Sequence, residues 1–199
     1  MKSTLSVFIS GLALSASLMA AESPPDPLAD PIPGKILKGD IRVALEEFVR
    51  VPQTEDSALP RQTNGAYARI QYMTPIPDGS GRLVINDLRG PVYFTDEDGS
   101  NPTVYLDMRN EEVDFSDSTF PNETGIAGIA FHPDFAQAGR AGFGKFYTAS
   151  SSPSDAGVAN YLDSAAENHE SVIREWTSGD PTSNSFSGTS REIFRMGQF

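Results

Sequence analysis

The chain has 199 residues, room for one domain or at most two small ones, and carries 27 acidic against 15 basic side chains for a net charge of −12. A surface that negative, with no Lys/Arg cluster to offset it, repels phosphate backbones, so no nucleic-acid partner is expected. The absence of cysteine excludes disulfides, thiolate catalysis, Cys-ligated zinc, iron–sulfur clusters and c-type haem attachment.

Met1-Lys2-Ser3-Thr4 opens the chain, and an uncharged run of apolar and small residues follows to Ala21. A basic start followed by an apolar stretch of that length reads as a signal peptide over residues 1–21. Cleavage is expected near Ala20 or Ala21, although Leu18 or Met19 would then stand two residues before the cut. Export to a periplasmic or extracellular location follows, with no membrane span after cleavage. Residues 22–40 form a Pro-rich linker, with ESPPDPLADPIPG at 22–34 favouring extended, solvated chain.

The remainder, residues 41–199, reads as all-β. Ile41, Val43, Leu45, Val49 and Val51 fall at even spacing and predict a strand, with a helix through LEEF as the alternative. Four short β runs come next, at residues 66–73 (AYARIQYM), 82–87 (RLVIND), 92–95 (VYFT) and 103–107 (TVYLD). Gly, Asp and Pro turns separate them, which is the length and rhythm of one propeller blade. A second, looser group of four follows at 126–131 (IAGIAF), 145–150 (KFYTAS), 171–177 (SVIREWT) and 192–196 (EIFRM), with a polar loop expected from Ser151 to Asn168.

Three stretches carry a family resemblance: GSGRLVINDLRGPVYFTD at 79–96, GIAGIAFHPDF at 125–135, and HESVIREWT at 169–177 after GKFYTAS. Together they resemble the glucose/sorbosone dehydrogenase family, the soluble PQQ-dependent aldose dehydrogenases. The middle motif is the most specific, departing only by Ile126-Ala127 in place of two leucines. The resemblance covers about 66–199 and implies a partial β-propeller, about two blades of an expected six, as the N-terminal part of the fold. It further implies an exported enzyme that oxidises a sugar hydroxyl by hydride transfer to PQQ with calcium, passing electrons to an acceptor. The family's general-base histidine lies beyond Phe199, so no catalytic residue is expected in these 199 residues, which by themselves should be inactive. Glu123 is the one position carried over, as a cofactor-binding residue at the mouth of the PQQ site. No residue here is expected to bind the metal. The alternative function is a non-catalytic propeller of the same family that binds a ligand or partner.

Other suggestive residues have simpler readings. His132, in FHPDF, is expected to bond a turn backbone, and His169 to open a strand at the surface. Residues 96–101 (DEDGSN) look like half a calcium loop, but the twelfth position is Asp107 in a strand pattern, and a hairpin turn accounts for them. Asn122-Glu123-Thr124 fits a short glycosylation pattern that arises often by chance. The serine runs have no neighbouring base and no G-x-S-x-G, so hydrolase chemistry has no support.

Overall fold

In the computed structural model, residues 39, 44–54, 68–111, 113–117, 123–154, 156–162 and 168–198 are described. The chain divides into two units, Met1–Ala44 and Leu45–Phe199, and every element below belongs to the second. The expected signal peptide, the Pro-rich linker apart from Gly39, and Asn122 lie outside the described residues. Among the described residues no helix is long and apolar enough to cross a membrane.

The second unit is all-β. Sheet one runs β1 (Ile70–Pro75), β2 (Leu83–Asp87), β3 (Pro91–Thr95) and β4 (Thr103–Asp107), and sheet two runs β5 (Ile126–Phe131), β6 (Lys145–Pro153), β7 (His169–Ser178) and β8 (Gly188–Gln198). Each sheet has its four strands in sequence order, every pair antiparallel. The one helical piece among the described residues is a 3-10 turn, Met108–Asn110, capped by the Asp107 carboxylate.

All eight strands of the two predicted groups of four form, and two of them, β4 and β5, match to the residue. The strand predicted across 41–51 does not: residues 44–51 are neither strand nor helix. Their even spacing marks no buried face, since Leu45 is 91% exposed. This segment instead lies across sheet one, with the Phe48 carbonyl against the Cα of Gly99 and the Thr54 hydroxyl donating to Asp87.

The turns are built by side chains. Asp78 Oδ1 accepts from Ser80 N at 2.8 Å before β2. In the β3–β4 hairpin, Gly99 N donates to Asp96 O at 3.0 Å, and the Asp96 carboxylate accepts from Ser100 Oγ at 3.1 Å and Asn101 Nδ2 at 2.7 Å. Residues 96–101 therefore close a hairpin, as their turn chemistry predicts.

The two sheets share one aromatic core. Phe94 stacks on Tyr105 at 3.8 Å between centroids, Tyr105 reaches Phe146 at 5.7 Å, and Phe146 lies parallel to Trp176 at 5.9 Å. Phe131, Phe135 and Phe186 close around Phe146. Trp176 Nε1 donates to Thr148 Oγ1 at 2.9 Å, so its one polar atom is satisfied inside the core. Each such ring, fully buried, contributes roughly 1.5–3 kcal/mol.

The last three strands run beyond their predicted ends, β6 to Pro153 and β8 from Gly188 to Gln198. Where β6 ends and β7 begins, the extension carries a polar pole on the core-facing side of sheet two. Arg195, 2% exposed, bonds Glu170, which is fully buried, and Ser152 Oγ at 3.0 Å. Its remaining donors reach Glu192 at 2.7–2.8 Å. Cross-strand neighbours Ser152–Glu170 and Val172–Arg195 thus pair in a ladder whose letters look like a loop.

Arg82 joins the sheets at the opposite end. It leaves the β1–β2 turn, bonds Asp78, and donates to Pro181 O at 2.8 Å, Thr182 O at 3.2 Å, Ser183 O at 3.1 Å and Asn184 Oδ1 at 2.6 Å in the β7–β8 turn. Its guanidinium covers the Phe94 ring at 5.1 Å. Burial pushes the Asp78 carboxyl upward, but bonds from Ser80 and Arg82 outweigh that and hold it below its usual value.

Candidate functional site

Each sheet begins with a β-bulge. Ile70 pairs with Asp87 and Tyr72 with Asn86, so Gln71 is an extra residue in β1. Ile126 pairs with Ser150 and Gly128 with Ala149, so Ala127 is the corresponding extra residue in β5. A bulge bends its strand and re-aims a side chain. Here both bulges line the same cleft.

The cleft has a volume of about 570 Å³ and is lined by Ala68, Arg69, Ile70, Gln71, Leu88, Glu123 and Ala127. Leu88 forms its seam. Its N–H donates to Arg69 O at 2.8 Å and its carbonyl accepts from Ile126 N at 2.9 Å. Asn86, fully buried, donates through Nδ2 to Ile126 O at 2.9 Å. The first glycine of the GIAGIAF stretch is required by this seam. Gly125 has φ +138°, and a Cβ there would fall 1.8 Å from Leu88 O.

Below the cleft lies the fully buried Asp87. It accepts from Arg69 N at 3.2 Å and Arg89 N at 2.9 Å, besides the Thr54 hydroxyl. Burial, and then the Asp87 charge, push the phenol of neighbouring Tyr93 up to about 12.

The structure places Glu123 on the cleft wall, exposed, two residues before the Gly125 seam. Arg69, Gln71, Leu88 and Ala127 join it, and sequence reasoning did not single out any of them. Register is what presents Gln71 and Ala127, and no motif marks a bulge. The histidines stand outside the cleft lining. His132 Nδ1 accepts from Asp134 N at 3.0 Å, the turn-backbone bond predicted for it. His169 opens β7 but is half-buried, and its burial pushes the imidazole below its usual value.

The lining offers one guanidinium, one carboxylate, one amide and backbone groups, a set suited to holding hydrogen-bonding groups of a ligand. Among the described residues no three His, Asp or Glu side chains gather to hold a metal ion. A quinone bearing several carboxylates needs more cationic partners than Arg69, and a calcium ion needs more oxygen ligands than Glu123. The described residues therefore fit such groups along one edge only, and no reaction step is assigned to them.

No family model matches the chain. Among curated proteins it is similar to the "HIPL1 protein" of Arabidopsis thaliana, 36% identical over 104 residues, a match that covers 49% of this chain and 14% of the relative. The chain thus spans about a seventh of the relative it matches.

Proposed function

We propose that these residues are the N-terminal part of an exported propeller resembling the PQQ-dependent sugar dehydrogenases, with the two sheets as two of about six blades. In the whole protein a sugar hydroxyl would be oxidised by hydride transfer to PQQ, with calcium and an electron acceptor. The observation that carries the reading is the position of Glu123, beside the GIAGIAFHPDF stretch and on the wall of a cleft between two repeated sheets. The length of the plant relative supports it, since far more chain than two sheets accompanies the matched segment there.

A second reading, a propeller that binds a ligand without redox chemistry, draws on the cleft lining, which holds an acid and a cation but no histidine. The two separate in one assay. Full-length protein loaded with PQQ and calcium is expected to oxidise aldoses with an artificial acceptor. Ligand binding without turnover would favour the binding module, and no quinone binding at all would sink the first reading.

A further inference from the structure

The β1–β2 ladder is irregular where it meets the cleft. Leu88 N donates to Arg69 O at 2.8 Å, and a regular antiparallel pair would return the bond from Arg69 N to Leu88 O. Leu88 O instead accepts from Ile126 N of β5 at 2.9 Å, which joins the two sheets. Arg69 N donates to Asp87 Oδ1 at 3.2 Å. A side-chain carboxylate has thus taken the acceptor role that Leu88 O gives up to sheet two. The same oxygen accepts from Arg89 N at 2.9 Å, just past the seam, and Oδ2 accepts from the Thr54 hydroxyl. A carboxylate removed from water is costly unless hydrogen bonds hold it, and two of these three come from the backbone that shapes the cleft.

Sheet two diverts the matching carbonyl. Ser151 N donates to Gly125 O at 2.9 Å, and Ser151 O accepts from Ser116 N at 3.0 Å. The residue that matches Asp87 there is Ser150, the partner of Ile126 just before the second bulge. The carboxylate therefore belongs to the side of the cleft where the wall carries Arg69 and Gln71.

We propose that Asp87 is a positioning residue for the cleft: its carboxylate fixes Arg69 and the adjoining bulge on the cleft wall and leaves Leu88 O free to bond sheet two. The inference rests on the reading of the cleft as one edge of the cofactor site. Asp87 is buried below the lining residues, so it acts on a ligand through Arg69 and Gln71.

The test uses the full-length protein and three variants. Asp87→Ala removes the acceptor. Asp87→Asn keeps a carbonyl oxygen for the two amides and turns its NH2 toward the Thr54 hydroxyl. Val84→Ala weakens the core of the same strand and leaves these bonds in place. Relative to amides of the β6–β7 ladder, exchange at Arg69 and Arg89 should rise about tenfold in Asp87→Ala and about threefold in Asp87→Asn. Titrated with PQQ and calcium, Asp87→Ala should bind about tenfold more weakly, Asp87→Asn within about threefold of the wild type, and Val84→Ala as the wild type does. Unchanged exchange at Arg69 in both Asp87 variants would overturn the substitute acceptor. Equal weakening of binding in Asp87→Ala and Val84→Ala would make Asp87 a stabilising residue only and overturn the positioning role. Quinone binding by none of the four proteins, with exchange at Arg69 responding as stated, would sink the cofactor reading and support the hold of Asp87 on the cleft wall. Should Asp87→Ala fail to fold by circular dichroism, Asp87→Asn decides: faster exchange at Arg69 is expected, and no change overturns the proposal.

Discussion

Sheet one and sheet two have the same plan with different fillings. In both, the first strand carries one extra residue against the second, Gln71 and Ala127, and the fourth carries one against the third, Tyr105 and Ile193. The middle pairs, β2–β3 and β6–β7, are regular in both. A bulge is one added residue at one place in a ladder, and two of them at matching places are the mark of a repeated unit. The fillings differ. All five residues of β3 are buried, whereas β6 alternates over most of its length. The fourth-strand bulge puts Tyr105 into the aromatic core at 3% exposure, whereas Ile193 stands 44% exposed. One plan thus serves as core in the first sheet and as outer surface in the second.

The sharpest way to break that comparison is at the fourth-strand bulges. Tyr105→Ala should lose about 3–5 kcal/mol of stability, the range for emptying a large aromatic site, while Ile193→Ala should lose about 0.5 kcal/mol or less. Urea unfolding of the two variants measures both, and equal losses would refute the assignment of core and surface.

The polar pole comes next. Arg195→Ala leaves Glu170 buried without its main partner and should cost about 3 kcal/mol. Replacing both, as Glu170→Gln with Arg195→Met, should cost less than the single change. A double-mutant cycle by thermal unfolding reads the difference. Val84 in sheet one is an apolar core residue with no charged partner, so Val84→Ala there should show no such rescue by a second substitution.

A smaller effect concerns the outer face of sheet two. Arg191 bonds the Glu175 carboxylate at 2.8 Å, and this bond, with those from Tyr147 and Lys145, holds it at about 2. A carboxyl lowered on folding stabilises the fold above its unfolded value of 4.5 and loses that contribution as pH falls toward 2. Stability measured across that window should fall with acid. The fall should be shallower in Glu175→Gln, and shallower in high salt because Arg191 is exposed.

What the sequence disclosed follows from where each element draws its stability. Apolar, turn-bounded runs such as Ile126–Phe131 and Thr103–Asp107 were legible to the residue. The end of β6 and the start of β7 were not, because Ser152 and Glu170 are buried by pairing with Arg195 and their letters signal solvent. The 41–51 pattern misled in the opposite direction, since its period two is not used against any buried face over the described residues. Of the candidate site, Glu123 was visible through a motif two residues away. Gln71 and Ala127 were invisible, because a bulge is a property of two strands in register. The bridge that Arg82 makes between the sheets gave no signal either, as it ends on backbone carbonyls and the Asn184 side chain about 100 positions downstream.

The cleft between the two bulged strands is the proposed edge of the cofactor site. The most direct measurement is a titration of PQQ with calcium into the full-length protein, following quinone absorbance, for the wild type, Glu123→Ala and the distant control Asp98→Ala. Saturable binding that weakens about tenfold in Glu123→Ala, the loss of one charge-assisted contact, and holds in Asp98→Ala is the predicted result. Identical binding by all three proteins would contradict the placement of Glu123 at a cofactor site.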